Sequence, residues 1–123
     1  MDLLEKVLSE RIDELTEAVR EQTGLSPSEA RKLVEEAGDD LVASYRWQGA
    51  DLRTSRLDSP LVARSVLGFI RGRAVAERLG LSQGRTWDGI RVLVPAVLET
   101  AARQQALAED VASGYADGSP AHH

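Results

Sequence analysis

Four neighbouring carboxylates are the side chains in this chain best suited to bind a cation. They are Glu35, Glu36, Asp39 and Asp40. On a helix they form two i, i+4 pairs, each pair sharing one face. Such a set could hold a hard cation such as Mg²⁺. Acidic residues on a helix surface are more often simply solvated, so we expect no metal site here.

The residues required for nucleophilic catalysis are missing or poorly placed. The chain has no cysteine, which excludes disulfides, thiolate nucleophiles and cysteine-bound zinc. The two histidines, His122 and His123, stand at the end of a tail, and the lysines are Lys6 and Lys32. A catalytic nucleophile needs a base beside it. We therefore favour a protein without enzymatic activity, although chemistry by glutamate or arginine stays open, and we expect no metal or cofactor.

Arginine dominates the middle of the chain, between two acidic segments. Residues 1–43 contain twelve acidic and five basic residues, and residues 44–91 contain nine arginines and four acidic residues. We expect the acidic segment to fold back over the basic one and pair its charges. The alternative is an arginine-rich face for an anionic partner.

Residues 74–93 are similar to a DNA-binding helix-turn-helix, with Gly80 at the turn and a recognition helix after it. The candidate DNA-contacting residues are Gln83, Arg85, Arg91, Arg71 and Arg73. Glycines at 84 and 89 weaken that helix, and the net charge of the chain is −5. DNA binding is therefore the alternative function and protein binding the preferred one.

An aromatic and basic cluster in the middle of the chain is the candidate protein-binding site, because tryptophan and arginine are enriched at interface hot spots. The predicted partner-binding residues are Tyr45, Trp47, Arg53 and Arg56. Trp47 could equally fill the core beside a connector, and the sequence leaves both interpretations open.

A repeated segment defines the elements that must position these residues. AVREQTGLS at 18–26 returns as AVAERLGLS at 74–82, with six of nine positions identical. Each copy is typical of a helix that ends at a glycine and is followed by a capped helix start. Ser26 and Glu29 have the spacing of a capping box. The repeat indicates a duplication, although convergence on a common corner pattern would also produce it.

Apolar residues spaced three and four apart predict helices on both sides of each corner. The predicted helices cover about 2–22, 27–45, 60–70, 74–79 and 82–112. The third is expected to bury Leu61, Val62, Val66, Leu67 and Ile70. A kink is expected near Gly38, and Pro95 should kink or split the last helix because proline has no N–H for the Arg91 carbonyl.

These elements predict an all-α fold, a compact bundle of about five helices built from two related helix-corner-helix units. With 123 residues, a single domain is expected over residues 1–113, with units at about 2–46 and 60–112, a connector at 47–59 and a disordered tail at 114–123. The N-terminus does not look like a signal peptide and no apolar run would span a membrane. We expect a bacterial-type cytoplasmic protein with no membrane partner.

Residues 65–104 contain four motifs of apolar and glycine positions: VLGFI at 66–70, a glycine-basic join at 72–73, LGLS at 79–82 and VPAVL at 94–98. In these motifs the segment resembles the bacterial YidB-like domain family, a domain of unknown function. The chain departs from the family at TWDG, residues 86–89, where that family is more aliphatic. The resemblance implies an all-helical bacterial domain without known enzymatic activity, and it assigns no catalytic residue.

The sequence thus favours a non-enzymatic interaction or assembly protein that binds itself or another protein through apolar helix faces. A DNA-binding module remains the alternative.

Overall fold

The computed structural model describes residues 3–47 and 56–116, with side chains through residue 108, and this part of the chain is all-α. Its helices are α1 (Leu3–Glu10), α2 (Ile12–Thr23), α3 (Pro27–Trp47), α4 (Pro60–Leu67), α5 (Gly72–Leu79) and α6 (Gln83–Ala116). The predicted fold class is confirmed. The described residues contain six helices where about five were expected.

The additional helix arises because the segment predicted as one N-terminal helix bends at Arg11. The φ and ψ of Arg11 are −111° and 20°, outside the regular helical range. Hydrogen bonds still cross the bend, since the Arg11 N–H donates to the Val7 carbonyl and the Leu15 N–H to the Arg11 carbonyl, both at 2.9 Å. The bend lets α1 and α2 each pack against both α3 and α6.

The two corners have the same backbone geometry. Gly24 and Gly80 end their helices in the left-handed conformation, with φ of 72° and 70°, which other residues adopt at a cost. After the first corner, the Glu29 N–H donates to Ser26 Oγ at 3.2 Å and the Ser26 N–H donates to Glu29 Oε1 at 3.1 Å. These reciprocal bonds are the predicted capping box.

The core is formed by the apolar stripes of the two long helices, α3 and α6, covered by the four shorter ones. The largest fully buried side chains on the long helices are Leu33, Leu41, Ile90, Leu93 and Leu98. Both stripes agree with the predicted spacing. None of the helices in the described ranges has a stretch long and apolar enough to cross a membrane.

The long helices continue through the residues expected to disturb them. α6 is not split at Pro95, because the fully buried Val94 and Val97 hold the helix on either side of the missing hydrogen bond. In α3, Gly38 allows close packing: a Cβ there would stand 3.0 Å from Leu8 Cδ2. The helix therefore contains glycine at the point where α1 rests on it.

Two predicted boundaries were wrong. α4 ends at Leu67 rather than at 70, and Leu61 in its first turn is 61 % exposed instead of buried. Leu61 lies on the solvent side because Val62 and Val66 are the residues that face the core. At the other end of the chain, α6 extends to Ala116, into the segment predicted as a disordered tail, and residues 117–123 lie outside the described part.

Candidate interaction surface

Two exposed aromatic side chains flank a groove between α3 and α5. Trp47 is 80 % exposed and Phe69 is 53 % exposed. The groove has a volume of about 490 Å³ and is lined by Asp40, Ala43, Ser44, Trp47, Phe69, Arg71, Ala74 and Arg78. We call these eight residues the Trp47–Phe69 surface.

α3 contributes four of these residues through a second stripe, separate from its core stripe. Asp40, Ala43, Ser44 and Trp47 follow the spacing i, i+3, i+4 and i+7, which places them on one helix face. Trp47 is the last residue of the helix. Its side chain therefore stands at the open end of the groove.

The turn between α4 and α5 places Phe69 opposite α3. The Phe69 N–H donates to the Val66 carbonyl at 3.0 Å and the Gly72 N–H donates to the Ile70 carbonyl at 3.0 Å. Ile70 is 5 % exposed and fixes the turn to the core. Because the neighbouring Ile70 is anchored in the core, the Phe69 side chain is held at the surface.

Three polar contacts fix the walls of the groove relative to each other. The Arg71 N–H donates to Asp40 Oδ2 at 3.2 Å, and Arg78 Nη1 lies 3.0 Å from Glu36 Oε2. The buried Ser44 hydroxyl donates to the Val66 carbonyl at 3.4 Å. These bonds connect α3 with α4 and α5, so the two sides of the surface have a defined separation.

The same contacts explain two of the four neighbouring acids. Glu36 and Asp40 bind groups of α5 and of the turn before it, and Arg46 forms an ion pair with Glu5. The expected return of the acidic segment over the basic one is therefore present in the packing. Among the described residues, no three side chains of histidine, aspartate or glutamate converge as a metal site requires.

A larger open groove, of about 610 Å³, lies between α1 and α3 and contains the other two acids, Glu35 and Asp39. Glu5 and Arg46 lie along it and neutralise each other. It carries no exposed aromatic side chain, so it lacks the feature that distinguishes the Trp47–Phe69 surface.

The structure separates the residues predicted to bind a partner. Tyr45 is half-buried against the core, whereas Trp47, two residues later, points away from it, because two helical steps rotate a side chain by about 200°. Trp47 is thus not a core residue. Arg56 lies outside the groove beside Asp58, 3.3 Å away, and Arg53 lies outside the described residues.

The predicted DNA-contacting residues are exposed but do not form one basic face. Gln83, Arg85 and Arg91 lie on the first turns of α6. Arg91 is 3.7 Å from Asp88 and its guanidinium lies over the Trp87 ring, 5.9 Å from the centroid. Arg73 lies 3.5 Å from Glu77 on α5, and only Arg71 lies on the Trp47–Phe69 surface. DNA binding stays a prediction.

Phe69 is the aromatic member of the surface that the sequence did not single out. It sits in the apolar run VLGFI and looks like a core residue there. The available signal was Gly68 directly before it, since a glycine after a short apolar stripe is typical of a helix end. A residue just beyond that end no longer follows the buried stripe.

No protein-family model, curated protein or solved structure matches this chain. The resemblance of residues 65–104 to the YidB-like family therefore stays a prediction, and every functional argument rests on the residues themselves.

Proposed function

We propose that this protein is a non-enzymatic assembly protein that self-associates through the Trp47–Phe69 surface. The observation that carries the proposal is the exposure of Trp47 and Phe69 on the two sides of one groove. Large aromatic side chains grouped on a surface are typical of binding sites, because burying them removes much apolar area from water.

The charges of the surface favour a second copy of the chain as the partner. A symmetric dimer uses the same patch on both subunits, so a residue of one copy must find its complement on the same patch of the other. The surface contains carboxylate and guanidinium groups side by side, from Asp40 and from Arg71 and Arg78. Two such patches related by a two-fold axis place opposite charges against each other and aromatic side chains between them.

The fixed walls of the groove also favour binding. The Arg71 backbone N–H and the Arg78 guanidinium are bonded to α3, so the walls of the groove have little freedom left to lose when a partner docks. We expect the two copies of α3 to cross at the symmetry axis, with Ala43 near the crossing because it is small and exposed.

Sedimentation velocity over a range of concentrations tests the proposal. The wild-type chain is expected to sediment as a dimer at tens of micromolar and to dissociate on dilution. Trp47→Ser and Phe69→Ser should each weaken the dimer by at least tenfold, as the loss of an aromatic hot spot does.

Leu107→Ser is the matched control, because Leu107 is 65 % exposed but lies on α6, away from the groove. It should leave the dimer unchanged. A wild-type chain that stays monomeric at all concentrations, or a dimer that the control weakens as much as Trp47→Ser does, would refute the proposal.

A further inference from the structure

The six helices pack as two equivalent sets of three. Each set consists of two short helices followed by a long one, α1 to α3 and α4 to α6. In the first set α2 packs on its own long helix and on that of the other set, and α5 does the same in the second. α1 and α4 also each pack on both long helices. If the two sets are exchanged, each helix–helix contact between them is replaced by another contact that is also present.

Burial along both long helices follows the offset of the sequence repeat, which relates position 18 to position 74. Between residues 30 and 42, the buried positions 30, 33, 34, 37, 38, 41 and 42 of α3 correspond to 86, 89, 90, 93, 94, 97 and 98 of α6, which are all buried as well. The residue types differ at all seven pairs. The two helices therefore use the same faces to meet the core, whatever residues they carry.

One pair of equivalent positions is in direct contact. Leu33 of α3 and Gly89 of α6 are related by the repeat offset, and a Cβ on Gly89 would stand 2.6 Å from Leu33 Cδ1. Two equivalent positions meet only where a two-fold axis passes between them, as in a symmetric dimer. A leucine at both positions would overlap, and the glycine provides the space.

A second equivalent pair carries opposite charges close to the first. Glu29 and Arg85 are related by the same offset. Glu29 precedes Leu33 on α3 by one helical turn, and Arg85 precedes Gly89 on α6 by the same distance. The pKa of Glu29 is lowered mainly by its hydrogen bonds with Ser26, and the positive charge of Arg85 lowers it further. Both pairs thus combine unlike residues: large with small, and negative with positive.

We infer that the two three-helix units pair around a pseudo-two-fold axis as the subunits of a dimer do, and that Leu33–Gly89 and Glu29–Arg85 determine their partner. A first unit facing its own copy would oppose Leu33 to Leu33 and Glu29 to Glu29. A second unit facing its own copy would oppose Arg85 to Arg85 and leave a void between two glycines. Each unit therefore packs against the other unit but not against a copy of itself, because the sizes and charges of these side chains match only in the first case.

Reciprocal exchange in the full chain tests this inference. Leu33→Gly opens a cavity and Gly89→Leu overpacks the crossing, and each should lower Tm by about 10 °C. In the double variant the leucine is at position 89 and the glycine at position 33. The pseudo-two-fold axis makes the space around the leucine equivalent to the space that Leu33 fills in the wild-type chain. We expect the Tm of the double variant to lie within about 3 °C of the wild-type value, far above the Tm that the summed single effects would give.

Leu8 and Gly38 provide the matched control. They are also a leucine packed against a glycine, since a Cβ on Gly38 would stand 3.0 Å from Leu8 Cδ2, but they are not related by the repeat. Exchanging them moves the leucine into space of a different shape, so Leu8→Gly with Gly38→Leu should recover less than half of the summed loss. Equal recovery in the two exchanges, or none at Leu33 and Gly89, would overturn the inference.

The charge pair gives a second measurement at positions outside the buried core, where folding is less at risk. Glu29→Arg alone and Arg85→Glu alone place like charges at the axis. The exchange of both restores opposite charges and moves the capping box from α3 to α6, where Ser82 already accepts from the Arg85 N–H at 3.3 Å. Recovery of Tm in the double variant supports the inference, and additive losses contradict it.

Discussion

Glu29 connects the local chemistry of one helix end with the packing of the two units. Its carboxylate accepts from the Ser26 N–H and completes the capping box of α3. These hydrogen bonds, with smaller effects of Arg85 and Lys32, hold the pKa of Glu29 below its ordinary value of 4.5. A carboxylate with a lowered pKa stabilises the folded state as long as it is ionised.

The lowered pKa of Glu29 determines the direction in which folding stability changes with pH. The contribution of Glu29 is fully present above pH 4.5, the ordinary value, and is lost as the pH falls through the lower pKa of the folded state. In Glu29→Gln the hydrogen-bonding shape stays but the titration is gone. Thermal unfolding between pH 7 and pH 2.5 should therefore show a Tm deficit of about 3 °C in the variant at pH 7 that disappears at the acid end.

Ser28→Ala, which removes neither the cap nor a charge, is the control and should follow the wild-type chain throughout. Parallel Tm curves for Glu29→Gln and the wild-type chain would show that the charge of Glu29 does not stabilise the fold.

The burial of a single residue could be predicted where it follows from the helical spacing. It could not be predicted where a turn or a neighbouring helix determines it. The α3 stripe from Ala30 to Val42 is buried as predicted. The exposure of Phe69 and Tyr45 could not be predicted, because it depends on where α4 ends and on how α3 is rotated against the core. Neither quantity is encoded in the residue itself.

At the scale of elements, the two corner glycines make the same contribution. Gly24 and Gly80 have positive φ, and a Cβ at either position would meet nothing within 4 Å. Replacement by alanine should therefore cost only the backbone strain, about 1 kcal/mol at each corner. Urea unfolding of Gly24→Ala and Gly80→Ala should show this loss with an unchanged m-value.

Gly84→Ala is the control for these two variants, and its expected effect on stability has the opposite sign. Gly84 lies inside α6 with open space around it and ordinary helical φ. Gly84→Ala should raise the free energy of unfolding, by about 0.5 kcal/mol, because alanine favours the helix. A loss at Gly84 as large as at Gly24 would mean that the corner conformation is not what these positions require.

The helix boundaries show what spacing cannot determine. The bend at Arg11 keeps its hydrogen bonds, so it needs no proline or glycine and leaves no signal in the sequence. Conversely, Pro95 is a strong local signal for a break, and yet α6 continues because buried residues flank it. In both helices tertiary packing outweighs local preference, as it commonly does.

At the scale of the whole molecule, the acidic N-terminal segment neutralises the basic middle. Ion pairs and hydrogen bonds from Glu5, Glu36 and Asp40 reach Arg46, Arg78 and the start of α5. Negative carboxylates near most of the exposed arginines reduce the attraction that phosphates would feel. The repeat at 18–26 and 74–82 predicts two related units, and the two glycine corners within it have the same backbone conformation.

This charge distribution predicts weak or absent DNA binding. We expect no retardation of a duplex in an electrophoretic shift at low salt and micromolar protein, since low salt favours every electrostatic contact. Glu36→Gln, which frees Arg78, is the informative comparison. A salt-sensitive shift by the wild-type chain that Arg85→Ala and Arg91→Ala abolish would establish the helix-turn-helix alternative instead.

Cross-linking through a single introduced cysteine is a direct test of self-association through the Trp47–Phe69 surface. The chain contains no cysteine of its own, so Ala43→Cys places the only thiol on the expected symmetry axis, and Gln105→Cys places it on an exposed part of α6. Under mild oxidation at low micromolar concentration, we predict that Ala43→Cys forms a covalent dimer of two 13.4 kDa chains and that Gln105→Cys stays monomeric. No dimer from Ala43→Cys, or equal amounts from both variants, would show that the chain does not self-associate through this surface.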